Sequence, residues 1–540
     1  MKHLNWLAML WLVLAPTACS DGSGDADTDT DADTDTDSDT DSDTTHTPGG
    51  LPYVLPFEYQ RGDVGEPLTE AEITDFTKRI TGLWKQIDLF TWVYETSHGM
   101  DASTGYPDYL IWWHDVDAVK QGDTVTFTNA SRHGGSHNNA VPTTVTLIQA
   151  MAGHMLSGDD ASARIVEQFA KSTTAMMKGF IYDEDDENQY IMARNIIAHN
   201  HSFTLPSGKK KNVDYSQWYN QYEGWNADRY NFASNPTWGD IWVTTQRSKD
   251  DVPYLYRAAA WFPYLAELGT DEPAREAAAE AYEWMQGFAR DVVEHNYRIR
   301  SKHADGTPYV IGYSGDPEKD KNSGDLGSFV EYLTLDEMAE CDARVSTALL
   351  AEDDPLGLDC GSGQGSAYDS TAGVLNYFNY AIIDHFHISA IHLALVTEHN
   401  AMAEALLKGL VTRVERYRDP HQPEAGSKDE NWGRDVALVM LKGAALGMPL
   451  TSDEARQIHQ YLDGAVERYS EFPNWDLWDA SVPDGTYDFR SQFQPAKGPD
   501  ATKHQDIAVL LEYCWSPFKN PAGVEFVDCD VIADPGRWGE

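Results

Sequence analysis

The stretch WGRDVALVMLKGAALGMPLTSDEARQIHQYLDGAVERY, residues 432–469, has the pattern of two helices joined by a short turn. Its apolar first half ends around Gly447, and a second helical pattern starts at Thr451. Thr451 and Glu454 have the spacing of a capping box, in which each side chain bonds the other residue's backbone amide. The return segment carries apolar residues at helical spacing: Ala455, Ile458, Leu462, Ala465 and Tyr469.

Three other stretches have the same design, at residues 141–180, 251–294 and 375–417. Helix pairs of this kind cannot bury their apolar faces alone and must stack. Long segments rich in Trp, Tyr, Asn, Gly and His separate the pairs, and long ordered loops commonly carry function. We therefore predict a mainly α fold, an (α/α) toroid of helical hairpins with long loops and a few short β-hairpins. A helical solenoid of the tetratricopeptide type is the competing architecture, but its fixed period is absent.

The chain has 540 residues and a formal net charge of −47. Nucleic acid is excluded as an expected partner because phosphate binding needs a basic face. Strong acidity keeps a protein soluble and separate from its copies, so we expect a monomer. The 17 Trp and 27 Tyr residues supply flat side chains of the kind that line carbohydrate clefts, with a Trp-rich core as the alternative.

Residues 1–18 are predicted to be an export signal. The apolar stretch from Leu4 to Ala15 is too short to span a bilayer. Ala15-Pro16-Thr17-Ala18-Cys19 resembles a bacterial lipoprotein signal, although Pro16 stands where Leu is usual. The resemblance implies that Cys19 is lipidated and that the protein is anchored at the outer membrane, on the periplasmic or cell-surface side. Simple secretion is the alternative.

Residues 19–50 are predicted to be a disordered tether. Eleven aspartates between Asp21 and Asp43 alternate mostly with Thr or Ser. Like charges repel and nothing apolar can be buried, so the segment should stay extended. Residues 51–540 are then the catalytic toroid domain, and residues 44–540 still carry a net charge of −37.

Four cysteines remain in the body, an even number that suggests two disulfides in an exported chain. They are Cys341, Cys360, Cys514 and Cys529. Three connectivities are open, and nearest-neighbour pairing is the simplest. Zinc is disfavoured because no CxxC pair is present.

A first cluster of hydrogen-bond donors directly precedes the first hairpin and follows a predicted strand at 124–128. Glycines at 134 and 135 allow a ligand to approach the backbone closely. The candidate residues are Arg132, His133, His137, Asn138 and Asn139. A polar turn that caps the next helix is the alternative.

Two more clusters lie between the hairpins. The second is His199-Asn200-His201-Ser202-Phe203, where residues 202–205 and 212–215 predict a β-hairpin with a tip at 209–211. The third spans residues 247–257 at a helix start, with an ordinary cap plus core tyrosines as the alternative. Its candidate residues, with two nearby stacking platforms, are Arg247, Asp251, Tyr254, Tyr256, Arg257, Trp238 and Trp242.

Histidines also occur at 385, 387 and 392 in an apolar helical run. Core histidines with satisfied hydrogen bonds are the favoured interpretation. A divalent metal, calcium or zinc, stays open, but no cofactor is required. Walker, GxSxG and HExxH motifs are absent, which disfavours phosphoryl transfer, esterase and zinc-protease chemistry.

Asn200, His201 and Ser202 resemble part of the Asn-Asn-His-Ser-Tyr stretch of alginate-lyase-type toroid enzymes. His199 replaces an Asn and Phe203 a Tyr, and the family places this motif on a helix. Residues 65–515 resemble, as an architecture, the (α/α) toroid shared by many polysaccharide lyases and glycoside hydrolases. The resemblance implies a lyase that removes the C5 proton of a uronic sugar and expels the C4 oxygen.

In that mechanism His201 or His137 is the base and Tyr254 or Tyr256 the proton donor. Asn138, Asn200 and Arg247 neutralise the substrate carboxylate. The three clusters are then expected to converge on one cleft.

Two other functions stay open. A toroid glycoside hydrolase would use two carboxylates that flank the bond, with candidates at Glu223, Asp240, Asp250 and Asp251. A surface glycan-binding lipoprotein without catalysis would need only the tether and the aromatic residues.

Overall fold

The computed structural model describes most of the helical body, within His46–Glu540. The described residues are 63–87, 98–101, 106–109, 116–130, 158, 160–179, 181, 189–193, 195–198, 201–204, 210–214, 229–235, 239–244, 252–302, 308–310, 337–353, 380–418, 432–470, 480, 483–489, 509–514 and 523–540. They are mostly helical, which confirms the mainly α class.

The helices follow one another along the chain with short turns inside the pairs. They are α1 (Glu70–Ile87), α2 (Asp160–Lys178), α3 (Val252–Ala259), α4 (Phe262–Leu268), α5 (Glu272–Glu294), α6 (Glu337–Leu350), α7 (Tyr380–Val396), α8 (Asn400–Arg418), α9 (Trp432–Ala445), α10 (Ser452–Ser470) and α11 (Cys529–Ile532), with a further helical segment at 509–514.

The predicted hairpins agree with these helices. The pairs α7–α8 and α9–α10 correspond to the third and fourth hairpins, and α2 is the return helix of the first. The first half of that hairpin, residues 141–156, lies almost wholly outside the described residues. The second hairpin differs, since one helix was expected over 251–268 and the structure has α3 and α4. Pro263 explains the break, because proline is accepted in the first turn of a helix but not in its interior.

The helices differ in how they are buried. Every described side chain of α7 from 387 to 395 is buried, and α7 packs against α3, α6, α8 and α9. A helix that is apolar all round belongs in the core. By contrast α5 buries one stripe, confirming the predicted face: Ala274, Ala277, Ala278, Ala281, Met285, Phe288 and Val292.

The two ends of the described body are in contact. Helix α1 packs against α10 and α11. The amide of Ser452 donates to the carbonyl of Val64 at 2.8 Å, and the Trp84 and Trp538 rings lie 5.2 Å apart. Both tryptophans are buried, so the junction is part of the core.

The strands are short and form four sheets. They are β1 (His98–Asp101), β2 (Tyr106–Tyr109), β3 (Val116–Gln121), β4 (Thr124–Ala130), β5 (Asn195–Ala198), β6 (His201–Thr204), β7 (Lys210–Asp214), β8 (Arg229–Asn235), β9 (Gly239–Thr244), β10 (Arg300–Lys302), β11 (Pro308–Val310) and β12 (Gly485–Phe489). The larger sheets have the orders β12-β3-β4-β7-β6 and β5-β9-β8, and β1–β2 and β10–β11 are two-stranded. The predicted hairpin is confirmed, because β6 and β7 are antiparallel with Ser202 opposite Asn212. The predicted tip at 209–211 is wrong in part, because Lys210 and Lys211 belong to β7.

The capping box of α10 has the predicted geometry. The amide of Thr451 donates to Glu454 Oε2 at 2.6 Å, and the amide of Glu454 donates to Thr451 Oγ1 at 3.3 Å. We expect Thr451→Ala to lower the free energy of unfolding by about 1 kcal/mol, because an N-cap acceptor is lost. Urea unfolding measures the loss. Thr451→Ser keeps the hydroxyl and should be close to wild type; equal losses in both variants would contradict the capping role.

Candidate active site

The five-stranded sheet relates the first two clusters. Strand β4 runs parallel to β7 with Thr126 opposite Asp214, and β6 runs antiparallel to β7 with His201 opposite Val213. The carboxyl ends of β4 and β7 and the amino end of β6 therefore point to the same end of the sheet, but Ala130 at the end of β4 lies about 16 Å past the level of His201 at the usual rise per residue.

Both clusters leave the sheet at that end. His201 is the first residue of β6 and follows Asn200, while β4 ends at Ala130, two residues before Arg132. The two clusters are about 70 residues apart in the chain, and the sequence alone does not show how they are related in space. The parallel pairing of β4 and β7 supplies that link.

The three-stranded sheet separates the start of the third cluster from the second cluster. Ala198 lies opposite Ile241, so Trp238, just before β9, is near the β5–β6 connection along the sheet. Thr244 lies opposite Asn195 at the other end, about 10 Å away at the usual rise per residue. The segment that begins at Arg247 therefore leaves from the end away from Asn200, and its convergence with the other two stays a prediction.

Most of the predicted site residues lie outside the described residues. These are Arg132, His133, His137, Asn138, Asn139, Asn200, Trp238, Arg247 and Asp251. For His201, Trp242 and Tyr254 the structure gives the backbone position alone, in β6, β9 and α3. Trp242 lies opposite Ile197 on β5 and Asn231 on β8.

Tyr256 is a core residue. Its side chain is 1% exposed, and its hydroxyl is hydrogen-bonded to the hydroxyl of Thr347 at 2.8 Å. Burial raises the pKa of Tyr256 well above its ordinary value, which makes proton release costly. This placement corresponds to the core-tyrosine alternative rather than to an open cleft mouth.

Arg257 is also buried, at 1% exposure, and Glu512 neutralises it. The guanidinium donates to Glu512 Oε1 at 2.5 Å and also to Oε2. Sequence reasoning missed Glu512. The available signal was a single carboxylate after the apolar run Val509-Leu510-Leu511, since a charge within an apolar helix is seldom buried without a partner.

The predicted burial is confirmed for His387 and His392, which are 0% and 3% exposed, and the predicted hydrogen bonds are confirmed for His387. His387 Nδ1 lies 2.9 Å from Asp342 Oδ2, and Nε2 contacts the carbonyl of Leu406. A carbonyl only accepts, so Nε2 must carry a proton. With Nε2 committed to a backbone carbonyl, His387 links α6, α7 and α8 and does not form a Ser-His-Asp triad.

The surroundings of His392 disfavour its protonated, positively charged form. Burial, and then the Arg257 guanidinium, lower the pKa of His392 well below its ordinary value. Among the described residues no group of three or more His, Cys, Asp or Glu could hold a metal ion. The calcium or zinc site therefore stays a prediction.

Cys514 and Cys529 form a disulfide with their Cα atoms 5.2 Å apart, as predicted. For the predicted Cys341–Cys360 bridge, Cys360 lies outside the described residues and Cys341 is placed only as part of α6. The Cys514–Cys529 bond excludes the two other connectivities that the four cysteines left open.

Removing the observed bridge should lower stability. We expect Cys514→Ser with Cys529→Ser to reduce the free energy of unfolding by about 3 kcal/mol, because the bridge closes a loop of 15 residues. Chemical unfolding of the oxidised wild type and the double variant measures the difference. Equal stability of the two proteins would show that the bridge does not constrain the chain.

No described helix is both long and apolar enough to cross a membrane. Comparison with known proteins gives no relative: no protein-family model, no curated protein and no solved structure matches the chain.

Proposed function

We propose that this chain is a polysaccharide lyase that cleaves a uronic-acid-containing glycan by β-elimination, on a body of the (α/α)-toroid type. One observation carries the proposal: the register of β4, β7 and β6 takes two donor-rich segments from the same end of one sheet. The first segment begins at Arg132, after β4, and the second ends at His201, the first residue of β6. The developing charge on a uronate requires donors gathered at one place, so the proposal needs the segment after Ala130 to turn back toward His201.

Two features of the fold support the toroid. Helix α7 is buried from 387 to 395 and is followed by α8, which exposes part of its surface, as expected for an inner and an outer layer. Helix α1 packs against α10 and the C-terminal residues, so the ends of the body meet as a closed ring requires. An open solenoid contacts only neighbouring repeats and keeps its ends apart.

The proposed chemistry needs three roles. His201 or His137 removes the C5 proton, and Asn138, Asn200 and Arg247 stabilise the negative charge that forms on the carboxylate. A tyrosine then returns a proton to the leaving C4 oxygen. Of the two candidates on α3 we retain Tyr254, because the hydroxyl of Tyr256 is buried against Thr347.

Electrostatics limit where an acidic glycan could bind. Residues 44–540 carry a net charge of −37, and Glu512 neutralises Arg257. The proposal therefore assigns the attraction to Arg132, Arg247 and the three lysines at 209–211, of which Lys210 and Lys211 lie in β7. Lys210 lies opposite Thr204, about 10 Å along β6 from His201.

A glycan-panel digest tests the proposal. Uronate glycans incubated with the full chain should give the ultraviolet absorbance of an unsaturated sugar end, which only elimination creates. New reducing ends without that absorbance would instead establish a hydrolase, with carboxylates among Glu223, Asp240, Asp250 and Asp251. Retention of a glycan without products would establish a binding protein, and either result would overturn the lyase proposal.

The proposed location is the outer membrane, through a lipid on Cys19. We expect Cys19→Ala to move the protein from the detergent phase to the aqueous phase, because the acyl chains supply the membrane affinity. Detergent partitioning of cell extracts measures the shift. Ser20→Ala is the matched control and should remain in the detergent phase; unchanged partitioning of Cys19→Ala would rule out the anchor.

A further inference from the structure

The C-terminal segment Gly523–Glu540, here called the clasp, packs on the first helix of the body. The amide of Asp528 donates to Thr77 Oγ1 at 2.9 Å, and the amide of Gly539 donates to Thr81 Oγ1 at 3.0 Å. Lys85 Nζ donates to the carbonyl of Trp538 at 3.2 Å. These contacts join residues more than 450 positions apart, so the clasp closes the two ends of the body.

One side chain, that of His459 on α10, contacts both α1 and the clasp. Its ring stacks on Phe76 of α1 with the centroids 3.8 Å apart and the planes at 15°. His459 Nε2 lies 2.5 Å from the carbonyl oxygen of Phe526 in the clasp, so Nε2 carries the proton and donates. Phe76 and Phe526 are fully buried, whereas His459 is partly exposed.

Two ion pairs join α1 and α10 around His459, and Asp463 takes part through Oδ2. Arg79 of α1 binds Asp463 of α10 and Asp75, each at 2.9 Å. Glu72 of α1 lies 3.4 Å from Arg456 of α10 and also accepts from the amide of Thr69. No described carboxylate forms an ion pair with His459.

The clasp and the 509–514 segment offer no charge partner to His459 in the described contacts. The clasp presents the carbonyl of Phe526, next to Glu525. The Tyr513 ring packs against Phe526 with the centroids 4.9 Å apart, and burial raises the pKa of Tyr513 to about 12. That hydroxyl therefore stays neutral in the range where histidine titrates.

We propose that His459 is an acid-sensitive pin, and that protonation of its imidazole loosens the clasp from α1 and α10. The neutral ring donates from Nε2 to the carbonyl of Phe526 and stacks on Phe76, and it carries no charge that needs a partner. The imidazolium adds a proton on Nδ1 and a positive charge beside Arg79, while Asp463 and Glu72 are held by arginines. Opening the clasp returns the ring to water, where the charge is solvated.

The direction of the effect follows from linkage. Burial, the largest cause, lowers the pKa of His459 below its ordinary 6.5, and Arg79 adds to the lowering. The Phe526 hydrogen bond and the Asp463 and Glu72 charges act the other way without reversing it. The closed state therefore binds fewer protons than the open state, so closure is fully stable above about pH 6.5 and weakens as the pH falls.

The disulfide makes this opening local. Cys529 lies within the clasp and is bonded to Cys514 outside it. An opened clasp therefore stays tethered to the body and can close again when the pH rises. The inference does not depend on the proposed lyase activity.

Hydrogen exchange on the oxidised full chain tests the pin. Protection of peptides from the clasp and from α5 is compared at about pH 7.5 and about pH 5.5, after correction for intrinsic exchange rates. We expect clasp protection to fall up to about tenfold at the lower pH, since one titrating group changes an equilibrium by at most tenfold per pH unit and only about one unit of this range lies below the ordinary pKa of 6.5. Protection of α5 should be unchanged.

Two variants complete the test. His459→Gln keeps a donor for Phe526 but does not titrate, so its clasp protection should be independent of pH. His399→Gln, in the turn between α7 and α8, should behave as the wild type. The proposal is overturned if wild-type clasp protection is the same at both pH values, which needs no variant, or if His459→Gln loses as much as wild type.

Discussion

Glu512→Gln should lower the free energy of unfolding by about 3–5 kcal/mol, because it leaves the Arg257 guanidinium buried without a counter-charge. Both side chains of the pair are nearly inaccessible, at 1% and 2% exposure. Loss of the Glu512 charge removes the attraction that offsets desolvation of the arginine. Chemical unfolding followed by circular dichroism measures the loss.

A surface pair gives the matched control. Glu404 and Lys408 of α8 lie 2.7 Å apart, but their side chains are 40% and 64% exposed. We expect Glu404→Gln to cost no more than about 0.5 kcal/mol, since water screens such pairs. The joint replacement of Arg257 by Met and Glu512 by Leu removes both charges and should recover most of the lost stability. Similar effects of Glu512→Gln and Glu404→Gln would contradict the buried pair.

Local sequence patterns predicted the parts of the fold that are local. The capping box at Thr451 and Glu454, the apolar stripe of α5 and the β6–β7 hairpin each depend on residues close together in the chain. Short-range spacing fixes such features through helix and strand geometry. Their agreement with the structure is therefore expected on physical grounds.

The long-range contacts were not predictable in the same way. Arg257 meets Glu512 across 255 positions, and His387 meets Asp342 across 45. Such partners depend on which helices become neighbours, and the sequence of one helix does not contain that information. The third cluster shows the same limit, because only the pairing of β5 with β9 reveals that Arg247 follows the opposite end of the sheet.

The candidate site could be predicted only as a set of residue types. Asn, His and Arg near a helical hairpin suggested carboxylate chemistry, but Tyr256 and Arg257 fit that pattern equally well and lie in the core. The sequence of a tyrosine next to an arginine near a helix start does not indicate which face of the helix packs against the interior. The burial of α3 between α6 and α7 decides it.

His201→Ala should reduce the rate of elimination by about 10²–10⁴-fold on a glycan that the wild type cleaves, because a general base contributes that much. The rate of increase in ultraviolet absorbance measures the loss, and circular dichroism shows whether the variant is folded. His399→Ala is a matched control, since His399 lies in the α7–α8 turn and bonds Thr397 at 2.9 Å. That variant should keep the wild-type rate.

The comparison with His137→Ala assigns the base. The sheet takes the segments of both histidines from one end, but only His201 is the first residue of a strand whose neighbour, β7, is fixed on both sides. A base must be held within hydrogen-bond reach of the proton that it removes, and backbone pairing in a strand holds His201 in place. We therefore expect the larger loss from His201→Ala and a smaller one from His137→Ala. A full rate in His201→Ala with a large loss in His137→Ala would move the base to the segment after β4, whereas full rates in both would remove histidine from the mechanism.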